Sequence, residues 1–195
     1  MPRVFVITGP SGVGKGTLIR TLMERVPELE LSVSATTRAP RPGEEHGVDY
    51  HFLDDAEFER RVQAGEFVEH AGYAGRRYGT LREELERRTA RGAPVVLEIE
   101  VQGARQVRET MPEAVRIFIA PPSEEALRTR LIGRGTDDPE QVQARLETAR
   151  RELQAQDEFA HVVYNDRLED AVEALEEVVR RSLGSAGENG PKDAS

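Results

Sequence analysis

Cysteine is absent from the chain. That excludes disulfides, thiolate metal sites and thiol catalysis, and it fits a reducing compartment. No apolar run is long enough to span a bilayer, and the opening residues pass from Met1 to Val4 straight into a strand-like pattern with no leader-like segment, so a cytoplasmic location is expected. Positive charge is in deficit: 27 Lys and Arg stand against 36 Asp and Glu, a net charge of −9. This balance argues against nucleic acid and anionic membrane as partners, while leaving room for a local basic cleft. Lysine occurs only at Lys15 and Lys192, every other basic side chain being Arg. Four histidines, His46, His51, His70 and His161, show no metal-ligand spacing and supply no evident general base.

What remains is a soluble globular composition, 37% hydrophobic and 32% charged over 195 residues, enough to bury one substantial core. Val4 to Thr8 is a continuous apolar run rich in β-branched residues, as expected of a buried parallel strand. A glycine-rich loop follows, then a helix from Lys15 to Val26 with Leu18, Leu22 and Val26 spaced by four. Strands are expected at Leu31–Ser34, Tyr50–Leu53, Phe67–Ala71, Pro94–Ile99, Val115–Ile119 and Val162–Tyr164. Asp54 is placed to cap a helix reaching Ala64, with Gly65 beyond its end. Thr80 and Glu83 have the spacing of a capping box for a helix closed by Gly92. Further helices are expected from Val101 to Thr110, from Ser123 to about Leu131, from Asp138-Pro139 onward with Pro at its first position, and from Leu168 to Leu183. The alternation predicts an α/β fold: a mostly parallel sheet with helices on both faces. The residues after Gly184 read as a disordered tail.

The loop is Gly9, Pro10, Ser11, Gly12, Val13, Gly14 and Lys15, a GxxxxGK sequence between a predicted strand and a predicted helix. In that context successive backbone N–H groups can curl round a phosphate, and the helix N-terminus adds partial positive charge. Lys15 supplies an ammonium for the β- and γ-phosphates of a nucleoside triphosphate. The next position, where Ser or Thr usually binds Mg²⁺, is Gly16. Thr17 then either holds the metal through water or hydrogen-bonds a phosphate.

Downstream, Ser34-Ala-Thr-Thr-Arg38-Ala-Pro-Arg41-Pro-Gly-Glu is followed by Tyr50, Glu69, Tyr78-Gly79-Thr80, Glu98-Ile-Glu100-Val-Gln-Gly103, Gly133-Arg-Gly135 and Asn165-Asp166. With the phosphate loop, this ordered set resembles the guanylate kinases over about residues 4–183. The resemblance implies a P-loop kinase fold with a core (1–33, 81–123, 148–183), a GMP-binding insert (34–80) and a lid (124–147). It implies transfer of the γ-phosphoryl group of ATP to GMP or dGMP with Mg²⁺, by a monomer or small homo-oligomer serving GMP recycling. Arg38, Arg41, Tyr50 and Tyr78 would hold the acceptor phosphate, for which planar guanidinium forks suit a group of about two negative charges. Ser34 and Glu69 would read guanine, whose N1–H and amino group are donors; Thr80 and Glu100 would complete the set. An adenine would leave Glu69 buried and unpaired, enough for discrimination of roughly 10⁴. Thr80 has helix capping as a competing or additional role. The resemblance makes Arg130, Arg134 and Arg145 the lid arginines that reach the transferring group, and it places Asn165 near adenine. Arg128 and Arg151 read as solvated. Glu98 and Glu100 stand where the family commonly has Asp-x-Asp; Glu98 would organise Mg²⁺ through water. Two other classes compete: a non-catalytic protein-binding module of the same fold, and a kinase for AMP or UMP.

Overall fold

The computed structural model describes residues 3–73, 75–132 and 139–184, with backbone only at 139–142. Its frame is a five-stranded parallel sheet. Strand β1 (Val4–Thr8) lies at the centre, and the spatial order is β2 (Glu30–Leu31), β7 (Val95–Glu98), β1, β8 (Val115–Ala120), β9 (His161–Tyr164). The continuous apolar runs have their physical cause here, because both faces are covered. Phe5, Ile7, Ile117 and Ile119 point to one side, under α1 (Lys15–Arg25) and α7 (Leu168–Gly184). Val6, Leu97, Phe118 and Ala120 point to the other, under α4 (Val101–Thr110). Leu18, Leu22 and Val26 are fully buried, as their spacing requires. Each such side chain contributes about 1.5–3 kcal/mol on burial.

A second, four-stranded sheet lies between α1 and β7 in sequence. Its order is β4 (His51–Phe52), β3 (Ala35–Thr36), β6 (Arg76–Leu81), β5 (Phe67–Tyr73), with β3–β4 parallel and the other pairs antiparallel. Helix α2 (Asp55–Gln63) closes it, and Asp54 accepts from the Glu57 amide at 2.7 Å as a true cap. Phe58 and Phe67 stack at 4.5 Å in its small core with Ala35 and Leu81.

Three expectations need correcting. The strand expected at Leu31–Ser34 is two strands: Ser32 still bonds Val96 of the main sheet, after which the chain leaves to pair in the second sheet at Ala35. The strand from Phe67 runs two residues further, to Tyr73, and β6 itself, polar and interrupted by Gly79, was not expected. Thr80 therefore sits within a strand. Helix α3 (Arg82–Thr89) begins after Leu81 with no side-chain cap, so the capping role of Thr80 does not hold. Beyond β8 come α5 (Glu124–Ile132), capped by Ser123 at 3.1 Å to the Ala126 amide, and α6 (Pro139–Leu153). Gly133, Arg134, Gly135, Asp138 and the tail after Gly184 fall outside the described residues.

Candidate active site

The phosphate loop joins the carboxyl end of central strand β1 to α1. Gly9 takes φ 146°, and a Cβ there would lie 2.2 Å from the Ile119 carbonyl oxygen, so only glycine lets the loop leave the sheet at this point. Gly14 caps α1 in the left-handed region at φ 97°. The free amides of the first helical turn thus face the loop interior, where an anion is favoured. Lys15 curls back over this cradle, its Nζ donating to the Gly9 carbonyl at 2.5 Å and to that of Pro10 at 3.5 Å. The loop has a buried brace behind it: the Asn165 carboxamide donates to the Val13 carbonyl at 2.8 Å.

Beside the loop opens a cavity of about 280 Å³, lined by Lys15, Ser34, Tyr50, Glu69, Tyr78, Glu98 and Glu100 together with Ser32 and Tyr73. One cavity thus brings the loop lysine into the same space as the side chains expected to read guanine. Glu69 is 2% exposed. Thr80, its cross-strand partner on β6, donates its hydroxyl to Glu69 Oε1 at 2.7 Å. Burial pushes the Glu69 carboxyl up to about 7, the bonds from Thr80 pull it down, and the charge of Glu100 raises it slightly. Glu98 is likewise raised by burial, against the pull of Lys15. Glu100 keeps a buried carboxylate oxygen without a hydrogen-bond donor.

At the rim, Arg38 is held as a planar fork. Its two amino groups donate to Glu44 at 2.9 and 2.8 Å, and it lies 5.2 Å from the centre of the Tyr50 ring. Glu44 also accepts from the Arg41 amide at 2.7 Å, while Arg41 is exposed. Tyr50 and Tyr78 stand edge to face with ring centres 6.3 Å apart.

Of the three arginines expected in a lid, two lie among the described residues. Arg130 on α5 donates to the carbonyls of Asn165 at 2.9 Å and of Val13 and Asp166 at 3.4 Å, so its fork braces the back of the loop rather than the cavity. Arg145 on α6 acts electrostatically on the Tyr73 hydroxyl. Arg134 lies outside the described residues.

Sequence reading missed two side chains at this centre. Tyr73 lines the cavity and meets the Ser11 side chain. Period-two alternation from Glu69 through Ala71 would have found it, had the strand been carried past Ala71. Glu152 on α6 accepts from the Ser11 amide at 3.3 Å, and burial next to Glu100 pushes its carboxyl up. No local sequence signal marks it.

A central parallel strand delivering a phosphate loop, with a cavity lined by carboxylates and tyrosines opening onto the loop lysine, defines a P-loop protein of the nucleotide-kinase class. The guanylate kinase family model matches residues 1–182. The chain is 55% identical to a guanylate kinase of Synechococcus sp. (strain CC9311) over 181 residues, 93% of this chain and 95% of that one. It is 54% identical to one of Thermobifida fusca, over 89% and 88% of the two chains. The crystal structure of guanylate kinase from Anaplasma phagocytophilum superposes with a TM-score of 0.75 at 35% identity, over 92% of this chain and 85% of that one. The chain belongs to the guanylate kinase family. Among the described residues no helix is long and apolar enough to cross a membrane, and no group of three or more His, Asp or Glu is placed to hold a metal.

Proposed function

We propose that this chain transfers the γ-phosphoryl group of ATP to GMP or dGMP, giving ADP and GDP or dGDP. The observation that carries the reading is the shared cavity: Lys15 of the phosphate loop and the buried Glu69 line one space. The nucleophile is an oxygen of the acceptor phosphate, already ionised, so the reaction needs positioning and charge neutralisation rather than a base. Lys15 turns from the Gly9 and Pro10 carbonyls to the β- and γ-phosphates. Arg38 and Arg41 receive the acceptor phosphate, with hydroxyl donors from Tyr50 and Tyr78. Ser34, Glu69 and Thr80 read the base. Arg130, Arg134 and Arg145 approach from the lid; for Arg130 this requires its fork to leave the loop carbonyls. Asn165 braces the loop on the ATP side. Closure of 34–80 and 124–147 would exclude water, without which the activated phosphate would hydrolyse.

The donor set fits Mg²⁺ held largely by phosphates and water. The open position at Gly16 faces Glu98, since a Cβ there would lie 4.0 Å from Glu98 Oε1. Glu98 and Thr17 would hold the ion through water. When bound with ATP it neutralises charge on the phosphates. The open space also makes a prediction. Gly16→Ser is accommodated without loss of thermal stability and lowers the Mg²⁺ concentration needed for half-maximal rate. A midpoint of unfolding depressed by more than a few degrees would contradict the open geometry.

The function is tested by ADP production from ATP and Mg²⁺ with GMP, AMP, UMP or no acceptor. Turnover with GMP at least about a thousandfold above the others is expected, within reach of a site that matches donors to acceptors. Nucleotide binding without any turnover would promote the non-catalytic module instead. Acceptor-independent ADP release would mean an ATPase.

A further inference from the structure

Helix α4 lies along β5 and meets it at Glu69. At Gly103, in the first turn of α4, an added Cβ would fall 2.1 Å from Glu69 Oε2 and 2.9 Å from its Cδ. The first distance is about 1.3 Å short of the 3.4 Å at which ordinary contact begins. Glycine inside a helix is less favourable than alanine, and the backbone at Gly103 is not in the left-handed region that would call for it. What the glycine provides is room for the carboxylate. One turn later, Gln106 holds the next residue of β5 by both main-chain groups. Its Nε2 donates to the His70 carbonyl at 2.7 Å, and its Oε1 accepts from the His70 amide at 3.1 Å. Just before Glu69, β5 carries an irregularity that shifts its register on β6 between Phe67 and Glu69. Such bulges re-aim side chains, and they need something to hold them.

We propose that Gly103 and Gln106 are positioning residues for acceptor-base selection. The bare Cα of Gly103 sets how far the Glu69 carboxylate withdraws, and Gln106 fixes the depth at which β5 presents it. Thr80 grips the same carboxylate from β6, so Glu69 is held between a hydroxyl and a helix. The proposal rests on Glu69 as the reader of guanine. It assigns to α4, which contributes no side chain to the base, control over where that reader stands.

A purely helical role for Gly103 would make Gly103→Ala neutral or stabilising. The positioning role makes Gly103→Ala raise KM for GMP, lowering kcat/KM by about 10², the loss expected for a misplacement near 1 Å. KM for ATP and the thermal midpoint should stay near wild-type values. Gln106→Ala should raise KM for GMP in the same way. The diagnostic variant is Gly103→Ala combined with Glu69→Asp, which removes a methylene from one partner as it adds one to the other. Each single substitution should impair GMP use, and the pair should recover at least about tenfold over the product of the two losses. Wild-type GMP kinetics in Gly103→Ala would overturn the proposal, as would independent losses in the double variant. If Gly103→Ala does not fold, Gln106→Ala decides alone: an unchanged KM for GMP overturns the proposal. A wild-type chain that turns over no GMP would sink the kinase reading itself; GMP turnover with independent losses would sink only the role of α4.

Discussion

Replacing Lys15 with Met lowers kcat by about 10³ and leaves the affinity for GMP within a factor of two. Phosphoryl transfer offers the protein little covalent chemistry, so loss of a charge aimed at the transferring group falls directly on the barrier. A factor of 10³ corresponds to about 4 kcal/mol. Lys15 is suited to this task by position and by shape. Its ammonium already reaches the carbonyls that frame the loop, and a phosphate in the cradle would replace those carbonyls as acceptor. Arg cannot substitute well, because its planar fork is too broad for a cradle built round a point charge, so Lys15→Arg should recover less than a tenth of the lost rate. Most of the side chains proposed to hold the acceptor come from the second sheet and its loops although they share the cavity with Lys15, so GMP binding measured by calorimetry should survive. A kcat within tenfold of wild type would remove Lys15 from the chemistry. Loss of GMP binding in the same variant would mean that the two halves of the cavity are one energetic unit.

The parts of this fold that could be read in advance are those whose cause is local. Val4–Thr8 is covered on both faces of the sheet and is therefore apolar from Val4 to Ile7. Helix α4 was expected from Val101 to Thr110 and has those bounds, because its buried Val101, Ala104 and Val107 follow helical spacing. Asp54 and Ser123 cap the helices expected of them because capping needs only three or four residues. Where long-range packing decides, local signals fail. Strand β6 owes its conformation to β3 and β5 on either side, so its Arg, Tyr and Gly residues give no alternation to detect. Thr80 matches a capping box in sequence but spends its hydroxyl on Glu69, eleven residues earlier.

The site divides in the same way. The phosphate loop carries its chemistry in consecutive residues, and the motifs bearing Ser34, Glu69 and Glu100 could be matched one by one to a family. Their convergence on one cavity could not be derived from spacing. Nor could the supports. Glu152 reaches Ser11 across 141 residues, and the contact of Gly103 with Glu69 spans two different layers. For Arg130 the role is implied by the resemblance alone. Its identity and position match a lid arginine, yet in this conformation its fork is spent on three main-chain carbonyls.

Glu69→Gln should separate function from stability. The carboxyl is 2% exposed, and burial pushes it up from an ordinary 4.5 to about 7. Because the folded value lies above the unfolded one, the native state favours the protonated acid. The associated stability is fully present below about pH 4.5 and is lost as pH rises through 7. Above that, the fold carries a buried anion at a cost of about 3 kcal/mol. Gln has the same shape and no charge, so Glu69→Gln should raise the unfolding midpoint at pH 8 and change it little at pH 5. Guanine, however, presents two donors and needs the anion. The variant should lose at least about 10² in kcat/KM for GMP, since a donor is set against the Gln amino group in a buried site. The wild type should show the same chemistry as a pH effect. Below about 7 the free enzyme protonates Glu69, so KM for GMP should rise as pH falls from 8 to 6, more steeply than titration of the GMP phosphate alone provides. Glu69→Gln, titrating nothing at this position, should keep only the part due to the phosphate. A variant less stable at pH 8, or identical pH profiles for the two proteins, would show that Glu69 is not the buried, charge-bearing reader of the base. A charge kept in a dry site at this cost is best explained by what it selects. Glu69→Gln is therefore expected to give a more stable fold that no longer selects its acceptor.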